Sequence, residues 1–273
     1  MSTNWLNYFT ASLRRNPEFG SAYWGTLEEG SNVTVGDCGY IDSSGTYHHV
    51  STLNLVEYLG PLPSWAPQAD ASFQDSAVSQ TQAQLGANVQ FIDPETGTEV
   101  SGGVSSSWRF AQSQQMAATL KQTSWQGYDP AAVLPILEQV SVLQSLIVMA
   151  NPVGYTNAAG YLTSGFVVVY GVLAVMAGLV MGATSKESTF TIAGSVNGME
   201  GLLGGGVNAA YGDTNASSGM FTWIWPPTPL TSASELSGPN RLSYVSDPSN
   251  LRTIGFKAFG FNGSDQPIQD WTS

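Results

Sequence analysis

Apolar and polar positions alternate along this chain with two different periods. From Asn4 to Arg15 the apolar residues Trp5, Leu6, Phe9 and Leu13 recur three and four apart, which predicts a short amphipathic helix. Arg14 and Arg15 sit at its C-terminal end, where the helix dipole favours cations. Two readings of this helix stand: docked on the core, or lying at a membrane interface against lipid headgroups. From Ala22 to Leu59 the pattern becomes strand-like, and Asp42-Ser-Ser-Gly45 supplies turn chemistry between Gly39-Tyr-Ile41 and Tyr47-His-His-Val50, so a hairpin is predicted there. Pro61, Pro63 and Pro67 interrupt the chain. Residues 71–92 then run through Ser, Gln, Thr and Ala to Val89-Gln-Phe-Ile92, Asp93-Pro-Glu-Thr-Gly97 turns the backbone, and a return limb over about 100–120 carries Trp108, Phe110, Met116 and Leu120.

Asp129-Pro130 opens the next element as an N-cap and first-turn pair, and the spacing of Val133, Leu134, Ile136, Leu137, Val140, Leu143, Leu146 and Ile147 predicts one amphipathic helix over 129–150, ended by Asn151-Pro152 and Gly154. Gly165–Ala183 contains no charge and approaches the length of a membrane-spanning helix, with the small-residue pair Gly178 and Gly182. Its composition argues for strand instead: Val167, Val168, Val169, Val172, Val175, Phe166 and Tyr170 are strand formers. After the polar turn Thr184–Ser188, residues 189–196 alternate at period two, so 165–183 and 189–207 are expected to fold back on each other as a long hairpin. Gly204–Gly206 marks a bend in its second limb, residues 226–250 read as a proline-rich loop, and Arg252–Phe261 reads as a closing aromatic strand before a short tail, 264–273.

Composition narrows the function classes. The formal charge is −12, with 8 Lys plus Arg against 20 Asp plus Glu, so a nucleic-acid backbone would be repelled over most of the surface. Charged residues make up only 10% of the chain, which suits strands that must tolerate two environments and equally suits self-assembling structural proteins. The single cysteine, Cys38, rules out an internal disulfide. The N-terminus has no basic start followed by an apolar run, so cytoplasmic synthesis is expected.

Chemistry is sparse. His48 and His49 are adjacent in a predicted strand and point to opposite faces, so they cannot serve one site together. Asp37, Asp42 and Asp93 each sit where turns use Asp for backbone hydrogen bonds, and no calcium loop, phosphate-binding glycine loop or nucleophile elbow occurs. No catalytic residues, cofactor or metal site are assigned, and no enzyme activity is expected.

The order of elements resembles the pore-forming domain of gasdermins of the short fungal and bacterial type. The local echoes are Gly165-Phe-Val-Val-Val-Tyr-Gly-Val-Leu173, similar to the family's central apolar strand, and Ile254-Gly-Phe-Lys-Ala-Phe259, similar to its closing strand. The resemblance implies an α+β domain over 1–273: a twisted, mainly antiparallel sheet with long hairpins and a few amphipathic helices. It also implies a protein that leaves the cytoplasm for a lipid bilayer, forms a homo-oligomer there and inserts β-hairpins as a barrel, after activation that would involve a protease. Trp5, Leu6, Phe9, Leu13, Arg14 and Arg15 would form the membrane-contacting helix. The inserting strands would pair 78–92 with 104–120, carrying Val89, Phe91, Trp108 and Phe110, and 165–183 with 189–207, carrying Phe166, Val168, Tyr170, Val172, Phe190, Ile192 and Val196. A spanning strand needs only about ten residues without charge on its lipid face. The family's large inhibitory domain and N-terminal lipidation cysteine have no counterpart here, which leaves 264–273 or the proline-rich loop as the expected restraint. The alternative is a structural or adhesive protein of the virion or tail kind, whose uncharged strands bury against copies of itself.

Overall fold

The computed structural model describes residues 5–16, 19, 22–27, 33–62, 70–92, 99–194, 209–213, 220–225 and 251–270. The fold is α+β. Its contacts divide it into two compact units, residues 1–68, 124–174 and 253–273 in the first and 69–123 and 175–252 in the second.

The first unit starts with α1 (Trp5–Arg15), β1 (Trp24–Gly25), the hairpin β2 (Asp37–Ile41) and β3 (Tyr47–Thr52), and α2 (Leu55–Leu59). The second unit contributes β4 (Ala71–Gln74), β5 (Val78–Ile92), β6 (Glu99–Phe110) and β7 (Gln115–Lys121). The chain then forms β8 (Ser124–Gly127), α3 (Pro130–Leu137), α4 (Val140–Ala150) and β9 (Phe166–Val175). It continues through β10 (Ala177–Ala183), β11 (Ser188–Gly194), β12 (Ala209–Asp213) and β13 (Met220–Trp225), and closes with β14 (Arg252–Phe261) and β15 (Pro267–Ile268).

Every residue of β9 is buried, and the first unit is organised around it. Its sheet has the order β1-β14-β9-β2-β3, with β8 also on β9 and β15 on β14. Alternation along β9 feeds two cores. Phe166, Val168 and Tyr170 join Phe259, Phe261, Val133, Leu137 and Leu146, while Val167, Val169 and Val172 join Trp24, Ile41, Tyr47 and Phe256. A strand covered on both faces needs a near-continuous apolar run, which is the valine-rich pattern of this segment.

Where β8 crosses β9, two glycines oppose each other, Gly127 against Gly171. A β-carbon on Gly127 would stand 2.6 Å from the Gly171 α-carbon and from the Tyr170 carbonyl oxygen, both backbone. A β-carbon on Gly171 would meet the Trp125 ring at 2.7 Å, so the missing side chains are what let the indole lie across the sheet.

The helix expected over 129–150 is two helices. Asp129 caps the first as predicted, accepting the Ala131 N–H at 2.9 Å. In one straight helix the stripe Val133, Ile136 and Leu137 would continue at Val140, yet Val140 is 70% exposed and burial resumes at Val142, Leu146 and Ala150. The chain resets that phase by turning 82° at Glu138–Gln139, where Gln139 is extended. Both helices thereby bury an apolar face, each such side chain contributing about 1.5–3 kcal/mol.

The second unit is a sandwich of two antiparallel four-stranded sheets, ordered β4-β7-β10-β13 and β5-β6-β11-β12. The chain passes directly from one sheet to the other at 75–77, 111–114 and 184–187, and the link 214–219 between β12 and β13 lies outside the described residues. Strand positions correspond across the sheets, so β4–β5, β6–β7 and β10–β11 are each a long strand bent at a corner. This corrects two expectations. The return limb from about 100 to 120 is not continuous: β6 ends at Phe110, and β7 begins in the other sheet. Nor do the limbs 165–183 and 189–207 pair with each other. β10 pairs with β7 and β13, and β11 pairs with β6 and β12. A hairpin would leave the apolar face of β10 without a cover, whereas the corner lays β11 over the same core. Gly165–Ala183 is extended throughout its strands, and no single described helix is long and apolar enough to cross a membrane.

Gly127→Ala should lower stability by about 1–3 kcal/mol because the backbone opposite cannot yield; chemical denaturation of the variant against the parent protein measures it.

Candidate functional site: bent strand pairs and the first helix

The inner face of the sandwich collects Val78, Trp108, Phe110, Ala117, Ala177, Leu179, Met181, Ala183 and Phe190, all buried, with Trp108 and Phe190 ring centroids 6.1 Å apart. On the other face of β5 and β6, Ser79, Thr81 and Arg109 are exposed, whereas Gln80, the register partner of Trp108, is an exposed polar residue on the inner face. Along Ser106–Phe110 the alternation is complete, with Ser106, Trp108 and Phe110 buried and Arg109 out. Over the described side chains next to the corner, 78–81 and 106–110, the inner face is mainly apolar apart from Gln80 and the buried Ser106, and the opposite face is polar; no charged residue occurs within Val78–Ile92 or Val100–Trp108.

Charges gather instead at the corner and the far ends. Asp75, Arg109, Lys186, Glu187 and Asp213 lie at or beside the corner, and Glu99 opens β6 at its opposite end. The corner is stitched by backbone bonds. Asp75 donates its N–H to the Met116 carbonyl at 2.9 Å, and its carboxylate accepts the Met116 N–H at 2.8 Å. Ala111 N–H reaches Ala77 at 3.0 Å, and Gln114 N–H reaches Ala183 at 2.6 Å. Gln114 and Glu187 adopt left-handed backbone (φ 63° and 61°), an uncommon and slightly costly conformation for side-chain-bearing residues. Arg109 donates to Glu187 across the corner, but both are more than half exposed, so the pair adds little stability.

The structure brings Trp108, Phe110 and Phe190 together and separates them from Phe166, Val168, Tyr170 and Val172, which are core residues of the first unit. β9 is a central strand buried on both faces, and it pairs with β2, β8 and β14 rather than with β11. Phe91 pairs in register with Val100, and Ile192 sits between Ser106 and Tyr211. Val89 falls in the register shift between Leu85 and Gln90 of β5. Val196 and the Gly204–Gly206 bend lie outside the described residues. The strand partner of β11, Ala209–Asp213, and the corner itself escaped the sequence reading. The signal was present as charge clustering at Asp75, Arg109 and Lys186-Glu187, between uncharged runs.

Helix α1 docks by its apolar stripe. Phe9 and Leu13 are fully buried, and Thr10 Oγ1 accepts the Gly25 N–H at 2.9 Å. Arg14 Nε donates to the Tyr23 carbonyl at 2.9 Å, and the guanidinium stacks on Trp24 at 4.4 Å. Trp5 and Leu6 are half-buried and Arg15 is exposed.

The titratable groups act in turns, as the aspartate reading of the sequence had it. Asp37 accepts from Thr34 N–H, Thr34 Oγ1 and Thr52 Oγ1 at 2.8–3.1 Å. Asp42 Oδ1 accepts from Ser44 N–H and Oγ and from Thr46 N–H, and Oδ2 bonds His48 Nε2 at 2.8 Å. Burial alone would raise the Asp42 carboxyl, but the hydrogen bonds from Ser44, His48 and Thr46 outweigh it and bring the pKa down to about 2. His49 faces the opposite way, toward Thr52. Asp93 lies outside the described residues. Burial pushes the Cys38 thiol up to about 12, which makes it an inert core residue. Among the described residues no three His, Cys, Asp or Glu side chains converge to hold a metal ion.

No protein-family model matches this chain, and no curated protein matches it significantly.

Native protein should leave Cys38 unreactive toward a thiol-specific chromophore at neutral pH and release one equivalent of colour on denaturation; rapid native labelling would contradict the burial. Because the folded Asp42 pKa is depressed from 3.8 to about 2, its contribution to stability is present above about pH 4 and lost as the pH falls through 2. Asp42→Asn should accordingly flatten the acid limb of melting temperature between pH 4 and 2.

Proposed function

We propose that this chain permeabilises membranes: it oligomerises on a bilayer and inserts β-hairpins of its second unit. What supports the reading is one observation, the amphipathic sheet β5–β6–β11–β12. Next to the corner its inner face buries Val78, Trp108, Phe110 and Phe190, its other face exposes Ser79, Thr81 and Arg109, and no charge occurs within Val78–Ile92 or Val100–Trp108. A transmembrane barrel needs strands with a lipid side, a water side and polar anchors at both interfaces. The inserting pairs in this proposal are 78–92 with 99–110 and 188–194 with 209–213, hinged at the corner.

Both sheets are open, so a lone copy could not satisfy its edge backbone groups in hydrocarbon, and closure requires other copies. β5 is an edge strand without charge, which leaves it free of the lysine guards that normally prevent edge-to-edge pairing. Restraint of the resting state is assigned to the C-terminal residues. β15 pairs with β14, Asp265 accepts the Leu162 N–H at 2.7 Å, and Tyr170 donates its hydroxyl to Asp270. Proteolytic loss of 264–273 would remove all three ties. The uncharged edge also suits the structural reading, in which copies pair permanently and leave membranes alone.

Dye release from liposomes, with and without removal of 264–273, separates the two. The pore reading expects leakage that rises on trimming, together with a membrane-bound oligomer; a constitutive oligomer in solution that leaves vesicles intact would establish the structural one. Brominated acyl chains should quench the parent protein more than Trp108→Phe, since Trp108 would pass from the sandwich core to lipid. Equal quenching of the two would move the insertion elsewhere.

A further inference from the structure

The two sheets of the second unit keep one register across the corner. In one sheet β7 pairs β10 from Lys121 with Ala177 to Gln115 with Ala183, and in the other β6 pairs β11 from Phe110 with Ser188 to Val104 with Gly194. Four residues link the sheets on one strand, 111–114, and four on the other, 184–187. The neighbouring pair matches as well: Ala183 pairs with Met220 and Phe190 with Asp213, with six residues between on each strand. The β4–β5 side departs, since Gln74 pairs with Ala117 and Val78 with Phe110, three residues against six. Equal links have a consequence: straightening the corner would join β6 to β7 and β10 to β11 as one antiparallel pair of 18 positions, Val104–Lys121 against Ala177–Gly194, with no strand neighbour exchanged. Each link also ends on a residue with left-handed backbone, Gln114 (φ 63°) and Glu187 (φ 61°), a conformation that a bend uses and an extended strand cannot hold.

We propose that the second unit is a single antiparallel sheet folded over itself, and that on a bilayer it opens at the corner without re-registering its central strands. The proposal rests on the membrane reading above and names the motion behind it. Folding over reverses the side-chain alternation: Phe110 and Ala117 share the sandwich core, although seven residues apart they would face opposite sides of a continuous strand. Straightened, that strand carries Trp108, Phe110, Met116, Ala118 and Leu120 on one face and Ser107, Arg109, Ser113, Thr119 and Lys121 on the other. Val180 and Phe190, the register partners of Ala118 and Trp108, join the apolar face, which Gln112, Gln114 and Lys186 interrupt at the corner. In water, burial of Trp108, Phe110, Phe190, Leu179 and Met181 between the layers favours the folded form. Against hydrocarbon that advantage disappears, because lipid covers the same side chains. The open pair is about 60 Å long, roughly twice the hydrocarbon core of a bilayer. One arm crosses while the other stays outside, with Arg109, Lys186 and Glu187 at the boundary.

Spin labels on Arg109→Cys and Lys121→Cys of the full chain, on either side of the corner, read the motion as a dipolar distance, with the buried Cys38 left in place. On vesicles of phosphatidylcholine and phosphatidylglycerol the distance should lengthen from its shorter value in solution to ~40 Å, the span of the extended strand between them. A disulfide joining Arg109→Cys to Thr189→Cys, register partners in β6 and β11, should leave leakage intact, since opening keeps that pair together. Gln114→Gly combined with Glu187→Gly lowers the cost of the bend, so leakage should slow about 5-fold or more while the melting temperature rises. An unchanged label distance on vesicles that leak, or leakage abolished by the disulfide, would overturn the opening while the pore reading stood. Lengthening on vesicles that never leak would remove the pore reading and keep the opening.

Discussion

In a two-layered sheet, each strand must present small or apolar side chains at every second position while keeping its backbone groups paired, and the second unit meets both demands with strands that bend. At the corner the ladder hydrogen bonds of one sheet end and those of the other begin, so Asp75, Ala77, Ala111 and Gln114 carry bonds that neither sheet supplies. The polar cost of the bend is concentrated there. The runs on either side are uncharged, and Asp75, Arg109, Lys186, Glu187 and Asp213 carry the charge at or beside the corner. An amphipathic sheet with charged margins is the consequence, and the functional proposal grows from it.

The first unit obeys a stricter version of the same rule. No charged residue occurs between Glu138 and Lys186, and β9 is buried along its whole length. Close approach of β8 at Gly127 and Gly171 lets Trp125 lie flat over the strand where a side chain would have pushed it away. Polar chemistry of the unit sits in its turns and ends: Asp37 and Asp42 organise the β2–β3 hairpin, and Asp265 and Asp270 fasten the C-terminal residues.

An acidic chain that acts on membranes faces repulsion from anionic lipid, which adsorption through a basic face normally overcomes. Helix α1 offers little relief, since Phe9 and Leu13 are in the core and Arg14 is engaged with Tyr23 and Trp24.

Local pattern alone determined the elements: the helix at Trp5–Arg15, the Asp42–Gly45 hairpin turn, the Asp129 cap, the strands of 166–194 and the aromatic strand Arg252–Phe261 were legible because period, turn chemistry and capping act within a few residues. Pairing was not legible. Whether β10 folds back on β11 or hands it to a second sheet depends on which surface covers the apolar face of β10, and that surface includes Trp108 and Phe110 of β6, distant in sequence. The 82° break after α3 has the same origin, since the burial phase of Val142 and Leu146 is set by the core they enter and not by the helix that precedes them. Short-range sterics and hydrogen bonding are written into neighbouring residues, whereas the partner of an apolar face is chosen only when the whole chain competes for it.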